Sequence, residues 1–245
     1  MVRLSVNVNK VATLRNARGG DRPSVRHAAE VAVGAGCQGI TVHPRPDERH
    51  IRRSDVLELA EWLPVELNIE GYPGPEWIEL VETVRPAQAT LVPDPPDVLT
   101  SNAGWRFGSV DRSWLSEVVA RLRETGARVS LFLDPDPREV EGADAAGADR
   151  IELYTEGYAR AFPTSERDAV FATYRATAEA AVAAGLGINA GHDLDLENLP
   201  HLAANLPGLE EVSIGHALIS DALDLGLAAT VRAYLDALRP SPPTR

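Results

Sequence analysis

Three features that would each announce a class of protein are scarce in this chain: cysteine, long apolar runs and positive charge. Cys37 is the single cysteine of 245 residues, so an intramolecular disulfide is excluded. Its apolar, small-residue surroundings read as core packing and carry no chemistry. No apolar run approaches the roughly 20 residues that a membrane span needs. The N-terminus enters an alternating, strand-like segment at once and leaves no room for a signal peptide, so a cytosolic protein without a membrane partner is expected. The net charge of −12 argues against nucleic acid or an anionic membrane as partner, since either needs a broad basic field. HxH, HExxH and CxxC pairings are missing too, so no metal ligands are assigned.

What the chain has in quantity is strand-length apolar runs separated by helix-length amphipathic stretches. LSVNVN (4–9), GITVHP (39–44), ELNIEG (66–71) and QATLVP (88–93) occupy the first half. RVSLFLD (128–134), RIELYT (150–155), LGINAG (186–191) and EEVSIGHA (210–217) occupy the second. The spacing predicts helices at about 23–36, 53–63, 75–84, 112–126, 136–147, 165–185, 196–205 and 217–238. Gly36, Gly126, Gly147 and Gly185 stand where four of these should end, the usual place of a C-terminal glycine. Eight strands alternating with helices at this length predict an α/β fold. It is a single-domain TIM (β/α)8 barrel over residues 1–239, with a Pro-rich tail at 240–245.

In a barrel wrapped by helices the outward strand residues are apolar and the alternate set points inward. Here the alternate set is polar: Ser5, Asn7 and Asn9 alternate with Leu4, Val6 and Val8, and Glu66, Asn68 and Glu70 with Leu67 and Ile69. Glu152 and Tyr154 flank Leu153 in the same way. The wet face of an antiparallel sheet would alternate too, but the helix-length crossovers favour parallel strands. A polar barrel interior that holds water is therefore expected.

The active site of such a barrel lies at the C-terminal ends of its strands. That rule selects Asn7, Asn9, His43, Glu70, Thr100, Glu152, His192, Gly215 and His216. His43, His50, His192 and His216, four of the six histidines, fall on this rim, and imidazole suits proton transfer near neutral pH. The loops after the first two strands are basic, with Lys10, Arg15 and Arg18 in one and Arg45, Arg49, His50, Arg52 and Arg53 in the other. Such loops at the mouth suggest recognition of phosphate groups. The step Gly215-His216-Ala217 into a helix offers backbone N–H groups to a further anion.

Seven longer segments run in order along nearly the whole chain: VNVNKVATLRNARGG (6–20), GITVHPRPDERHI (39–51), LNIEG (67–71), LVPDPPDVLTS (91–101), IELYTEGYA (151–159), NAGHDL (189–194) and IGHA (214–217). Together they resemble the pyridoxine 5′-phosphate synthases of the deoxyxylulose-dependent vitamin B6 pathway. The resemblance implies condensation of 1-deoxy-D-xylulose 5-phosphate with 3-amino-2-oxopropyl phosphate, releasing inorganic phosphate and water as the pyridine ring closes. It also implies no metal or organic cofactor and a homo-oligomer, an octamer. By the same resemblance His43 is the general base, Glu70 a second acid/base or proton relay, His192 the general acid and Glu152 the group that stabilises a transition state.

Asn7 resembles a contact to the amino-ketone phosphate, and Arg18, Arg45, His50 and Thr100 contacts to the deoxyxylulose phosphate. Gly215 and His216 resemble the second phosphate site, with Asp193 beside it. Two places depart from the common pattern: Asn9-Lys10 stands where many members have Asp-His, and Asp193 where many have glycine. Lys10 is therefore open to a substrate phosphate, a substrate carbonyl or plain solvation, and Asp193 offers its backbone N–H. The Pro- and Gly-containing segment 93–108 is the expected lid. Two other readings stay open on the residues alone. One is a metal-dependent phosphosugar epimerase or aldolase, which rim His and Glu residues would equally suit; the other is a non-catalytic binding barrel.

Overall fold

A computed structural model describes residues 1–94 and 103–239. Its strands are β1 (Arg3–Asn7), β2 (Gly39–Val42), β3 (Glu66–Gly71), β4 (Gln88–Leu91), β5 (Arg128–Leu133), β6 (Arg150–Tyr154), β7 (Gly187–Gly191) and β8 (Leu209–Ile214). All pair in parallel with their sequence neighbours, and β1 pairs with β8 to close the barrel. The helices are α1 (Asn9–Asn16), α2 (Val25–Ala35), α3 (Arg53–Trp62), α4 (Pro75–Val84), α5 (Arg112–Arg123), α6 (Pro137–Ala145), α7 (Glu156–Ala161), α8 (Arg167–Ala184), α9 (Leu199–Asn205), α10 (His216–Leu225) and α11 (Leu227–Ala237). Among the described residues, none is long and apolar enough to cross a membrane.

Strand alternation sorts the side chains as expected. Leu4, Ile40, Ile69, Leu131, Leu153 and Val212 are all 0% exposed beneath the helices, where burying one such side chain is worth about 1.5–3 kcal/mol. The alternate set fills the barrel with polar contacts. Ser5 Oγ and Thr41 Oγ1 lie 2.6 Å apart, and Thr90 Oγ1 donates to Asn68 Oδ1 at 3.0 Å. Lower down, Arg3 bridges Glu66 at 2.9 Å and Glu211 at 3.4 Å, while Arg128 also engages Glu66. These pairs compensate charges that would otherwise be costly to enclose.

The glycines foreseen as helix ends do adopt left-handed backbone, with φ of +107° at Gly36, +91° at Gly126, +82° at Gly147 and +80° at Gly185. Three elements differ from the sequence reading. β1 stops at Asn7, and the segment read as strand end and loop becomes α1. Its N-cap is Val8, which has no capping side chain; Asn7 Oδ1, one residue further out, accepts the Asn9 N–H at 3.0 Å. A search for a polar residue at the cap position misses this arrangement. Helix α7 is an extra turn-and-a-half that buries Tyr158 against Phe171 and Tyr174. The span read as one helix at 217–238 is broken into α10 and α11 by Gly226, whose φ of +77° is not helical.

Candidate active site

Residues from six of the eight strand ends converge on one cavity of about 390 Å³ at the C-terminal mouth, within the usual range for a small-molecule site. His43, His50, His192 and His216 all line it, so the four rim histidines do meet. So do Asn7, Asn9, Lys10, Arg45, Glu70, Glu152, Asp193 and Gly215.

One wall is a chain of contacts from β1 through β3. Asn9 Oδ1 accepts the His43 backbone N–H at 2.9 Å, which ties α1 to the end of β2. Asn7 Nδ2 donates to Glu70 Oε2 at 3.5 Å, and the same oxygen lies 3.8 Å from His43 Nδ1. Burial pushes the Glu70 carboxyl up to about 8; Glu211 adds to this, while Ser213 and Arg45 act against it. Burial, with Arg45, His50 and His192 nearby, pushes His43 well below the usual histidine range. At neutral pH His43 is thus a neutral base facing a largely protonated carboxyl. A proton can pass between the two without creating net charge in the cavity.

Deeper in the barrel, Glu152 is 2% exposed and is pushed well above the carboxylate range by burial, then by Glu70 and Glu211. Its Oε1 lies so near Gly191 that a Cβ there would sit 2.6 Å away, so a larger residue would push this carboxyl from its place. On the opposite wall the His192 ring lies 5.2 Å from Phe132 and edge-on to Tyr154 at 5.1 Å. Burial lowers its pKa, with Asp193 and Asp94 opposing. Gly215 precedes α10 as its N-cap, and His216 is its first residue, so the positive end of that helix faces the cavity.

The basic loops divide. Lys10, Arg45 and His50 face the cavity, whereas Arg15 is 3% exposed and pairs with Asp55 at 2.5 and 3.0 Å while holding the His50 carbonyl at 3.0 Å. Arg53 reaches Glu79 on α4 at 3.1 Å, and Arg52 contacts Asn16 at 3.3 Å. These arginines fasten α1 and α3 around the site, and of the basic loops it is Lys10, Arg45 and His50 that line the cavity. His50 Nδ1 accepts the Ile51 N–H at 2.9 Å, so Nε2 carries the proton; burial and Arg45 push its pKa down to about 4. It is a neutral donor.

Arg18 lies on the exposed turn after α1 and does not line the cavity. Thr100 lies outside the described residues, as does the part 95–102 of the expected lid. Within the rest of that segment Trp105 and Phe107 are packed down, 4% exposed, and Trp105 Nε1 donates to the Leu91 carbonyl at 2.8 Å. Arg106 and Gly108 are exposed, and none of residues 103–108 lines the cavity. Tyr154 and Ser213 line the cavity, and Phe132 packs against Tyr154 and His192; the sequence reading names none of them as site residues, although each occupies an inward strand position and the period of two could have found them. Among the described residues, no group of three or more His, Cys, Asp or Glu side chains is placed to hold a metal ion.

Residues 4–240 match the family described as Pyridoxal phosphate biosynthesis protein PdxJ. The chain belongs to this family. Relatives named Pyridoxine 5′-phosphate synthase are similar over almost their full length. That of Bacteroides thetaiotaomicron is 55% identical over 98% of this chain and 100% of its own. That of Porphyromonas gingivalis is 56% identical over 97% and 99%. Membership makes the chain an enzyme of pyridoxal phosphate biosynthesis. Solved structures add the fold alone. Tryptophan synthase from M. tuberculosis superposes with TM-score 0.66 at 14% identity, over 98% of this chain and 94% of that one. Phosphoribosyl anthranilate isomerase from Thermotoga maritima gives 0.57 at 14% identity, over 97% and 98%.

Proposed function

We propose that this PdxJ-family chain is a pyridoxine 5′-phosphate synthase that condenses 1-deoxy-D-xylulose 5-phosphate with 3-amino-2-oxopropyl phosphate, releasing inorganic phosphate and water. The observation that carries the reading is the pair His43 and Glu70, 3.8 Å apart with opposite pKa shifts, facing His192 across one cavity. Imine formation, dehydration and ring closure need protons removed and returned on different sides of one substrate. His43 takes a proton, Glu70 relays it by giving up its own proton as it accepts one, and Glu152 supplies a second carboxyl below. Burial holds the His192 pKa down, and the negative charge of a bound phosphate raises it and turns the ring into an acid.

Holding both substrates by their phosphates supplies the proximity that a bimolecular reaction requires. Arg45 and His50 hold the deoxyxylulose phosphate, and Asn7, the Asp193 N–H, Gly215 and His216 hold the other. Lys10 lies between them, close enough to lower the pKa of both His50 and His192. Arg18 and Thr100 are carried by the family resemblance alone. The enzyme works in the cytosol as a homo-oligomer, an octamer by that resemblance. Leu14 on α1 and Leu223 on α10, 56% and 79% exposed, offer apolar surface for such contacts.

Incubation of the purified protein with both substrates in the presence of chelator, followed by chromatography and a phosphate assay, should yield pyridoxine 5′-phosphate and inorganic phosphate in equal amounts. No product, with or without added divalent metal, overturns the reading.

A further inference from the structure

The loop that presents His192 holds two consecutive non-glycine residues in the left-handed region, with φ of +82° at His192 and +55° at Asp193. This backbone crowds a residue that carries a Cβ, so surrounding groups must hold the turn in place. Two buried side chains do so from opposite sides. Thr155, 0% exposed, directs Oγ1 at the Gly191 carbonyl at 2.6 Å and at the His192 carbonyl; its backbone N–H donates to Gly191 as well, at 2.9 Å.

Asn198, 2% exposed, donates from Nδ2 to the Asp193 carbonyl at 3.0 Å, and its Oδ1 accepts the Asp195 N–H at 3.1 Å. Asp195 in turn accepts the Asn198 N–H at 2.8 Å, and Tyr158 anchors the Asn198 carbonyl at 2.8 Å. The Thr155 N–H thus holds the Gly191 carbonyl, its single hydroxyl proton is shared between the Gly191 and His192 carbonyls, and the Asn198 amide holds that of Asp193; Thr155 and Asn198 do not line the cavity, while His192 and Asp193 do.

We propose that Thr155 and Asn198 are positioning residues: a two-sided clamp that enforces the left-handed His192–Asp193 turn and thereby sets the imidazole against Phe132 and Tyr154. The inference rests on the acid role given to His192 above. A clamp differs from a merely structural contact because losing it displaces a reacting group, and displacement by about 1 Å can cost about 100-fold in rate.

Thr155→Val removes the hydroxyl at nearly constant volume, and Thr155→Ser keeps it. Asn198→Asp keeps the acceptor and removes the donor. Thr155→Val and Asn198→Asp should each lower kcat by about 10- to 100-fold, with Thr155→Ser within about threefold of the parent. In NMR of ring-labelled protein, with His192→Ala identifying the signal, His192 should titrate closer to the ordinary histidine range in the two clamp variants and unchanged in Thr155→Ser. Adding Asp193→Gly to Asn198→Asp should restore part of the lost kcat, because glycine adopts this φ without strain.

Folded clamp variants whose kcat and His192 titration both match the parent overturn the proposal. So does an activity loss that only follows the fall in melting temperature and is not relieved by Asp193→Gly. The titration arm needs no turnover. If the parent makes no pyridoxine phosphate, the proposed function fails, and a shifted His192 titration still supports the clamp.

Discussion

Glu66 and Glu70 lie four residues apart on β3 and point into the same barrel, yet their environments drive them in opposite directions. Burial acts to raise both. At Glu66 the hydrogen bond and charge of Arg128, together with Arg3, overcome it and leave the pKa below the ordinary value. At Glu70 burial, aided by Glu211, outweighs the Ser213 hydrogen bond and the charge of Arg45, and the carboxyl keeps its proton up to about 8. The floor of the barrel pairs its charges into structure, while the mouth holds its titratable groups ready to exchange protons. One strand thereby serves stability at one end and chemistry at the other.

The largest expected difference between the two ends lies in turnover. His43→Ala and His192→Ala should each lower kcat by about 100- to 10,000-fold, the usual worth of a general acid or base, with melting temperatures close to the parent. Arg128→Ala on the floor should do the reverse, costing about 1–2 kcal/mol in denaturant unfolding and leaving kcat within about threefold. Equal losses of activity and stability at both ends would erase the distinction.

The pH dependence of stability sharpens it. Between about 4.5 and about 8 the folded state keeps a proton on Glu70 that the unfolded chain has lost, so its contribution falls as pH rises. Glu70→Gln cannot titrate and should gain in melting temperature over the parent as pH rises through that window. Glu66 is lowered, so its contribution is present above about 4.5 and is lost as pH falls through its folded value. Glu66→Gln should therefore be less stable than the parent near neutral pH, with the gap closing on acidification. Thermal melts across this range that moved the two variants in the same direction would break the comparison.

The smallest effect belongs to Lys10, the single lysine in a chain whose other cationic side chains are all arginine. Lys10→Met should raise KM for the phosphorylated substrates several-fold, more at low than at high ionic strength, because a partly exposed charge is screened by salt. A KM unaffected at low salt would return Lys10 to plain solvation.

The barrel was legible because its signal is periodic. Leu4, Val6, Ile69 and Leu153 against Ser5, Asn7, Glu70 and Glu152 fix which face is which before any contact is known. The rim followed from the strand ends, so His43, Glu70, Glu152 and His192 could be named from the sequence. Helix α1 was hidden because its first N–H is satisfied from Asn7, outside the usual cap position. The roles of the arginines were hidden for a related reason. Arg15 and Arg45 look alike in the sequence, and only their places in space, Arg15 against Asp55 and Arg45 at the cavity, tell them apart.

What the sequence determined by itself is local and periodic: eight inward-outward alternations, the glycines that end helices, and histidines at strand ends. What the tertiary structure decided is distance and burial. The proximity of His43 to Glu70 and the enclosure of His192 by Phe132 and Tyr154 come from closing the sheet. So does the grip of Thr155 and Asn198 on the β7 loop. A pKa and a strained turn are set by neighbours from other strands, and no pattern along the chain encodes those neighbours.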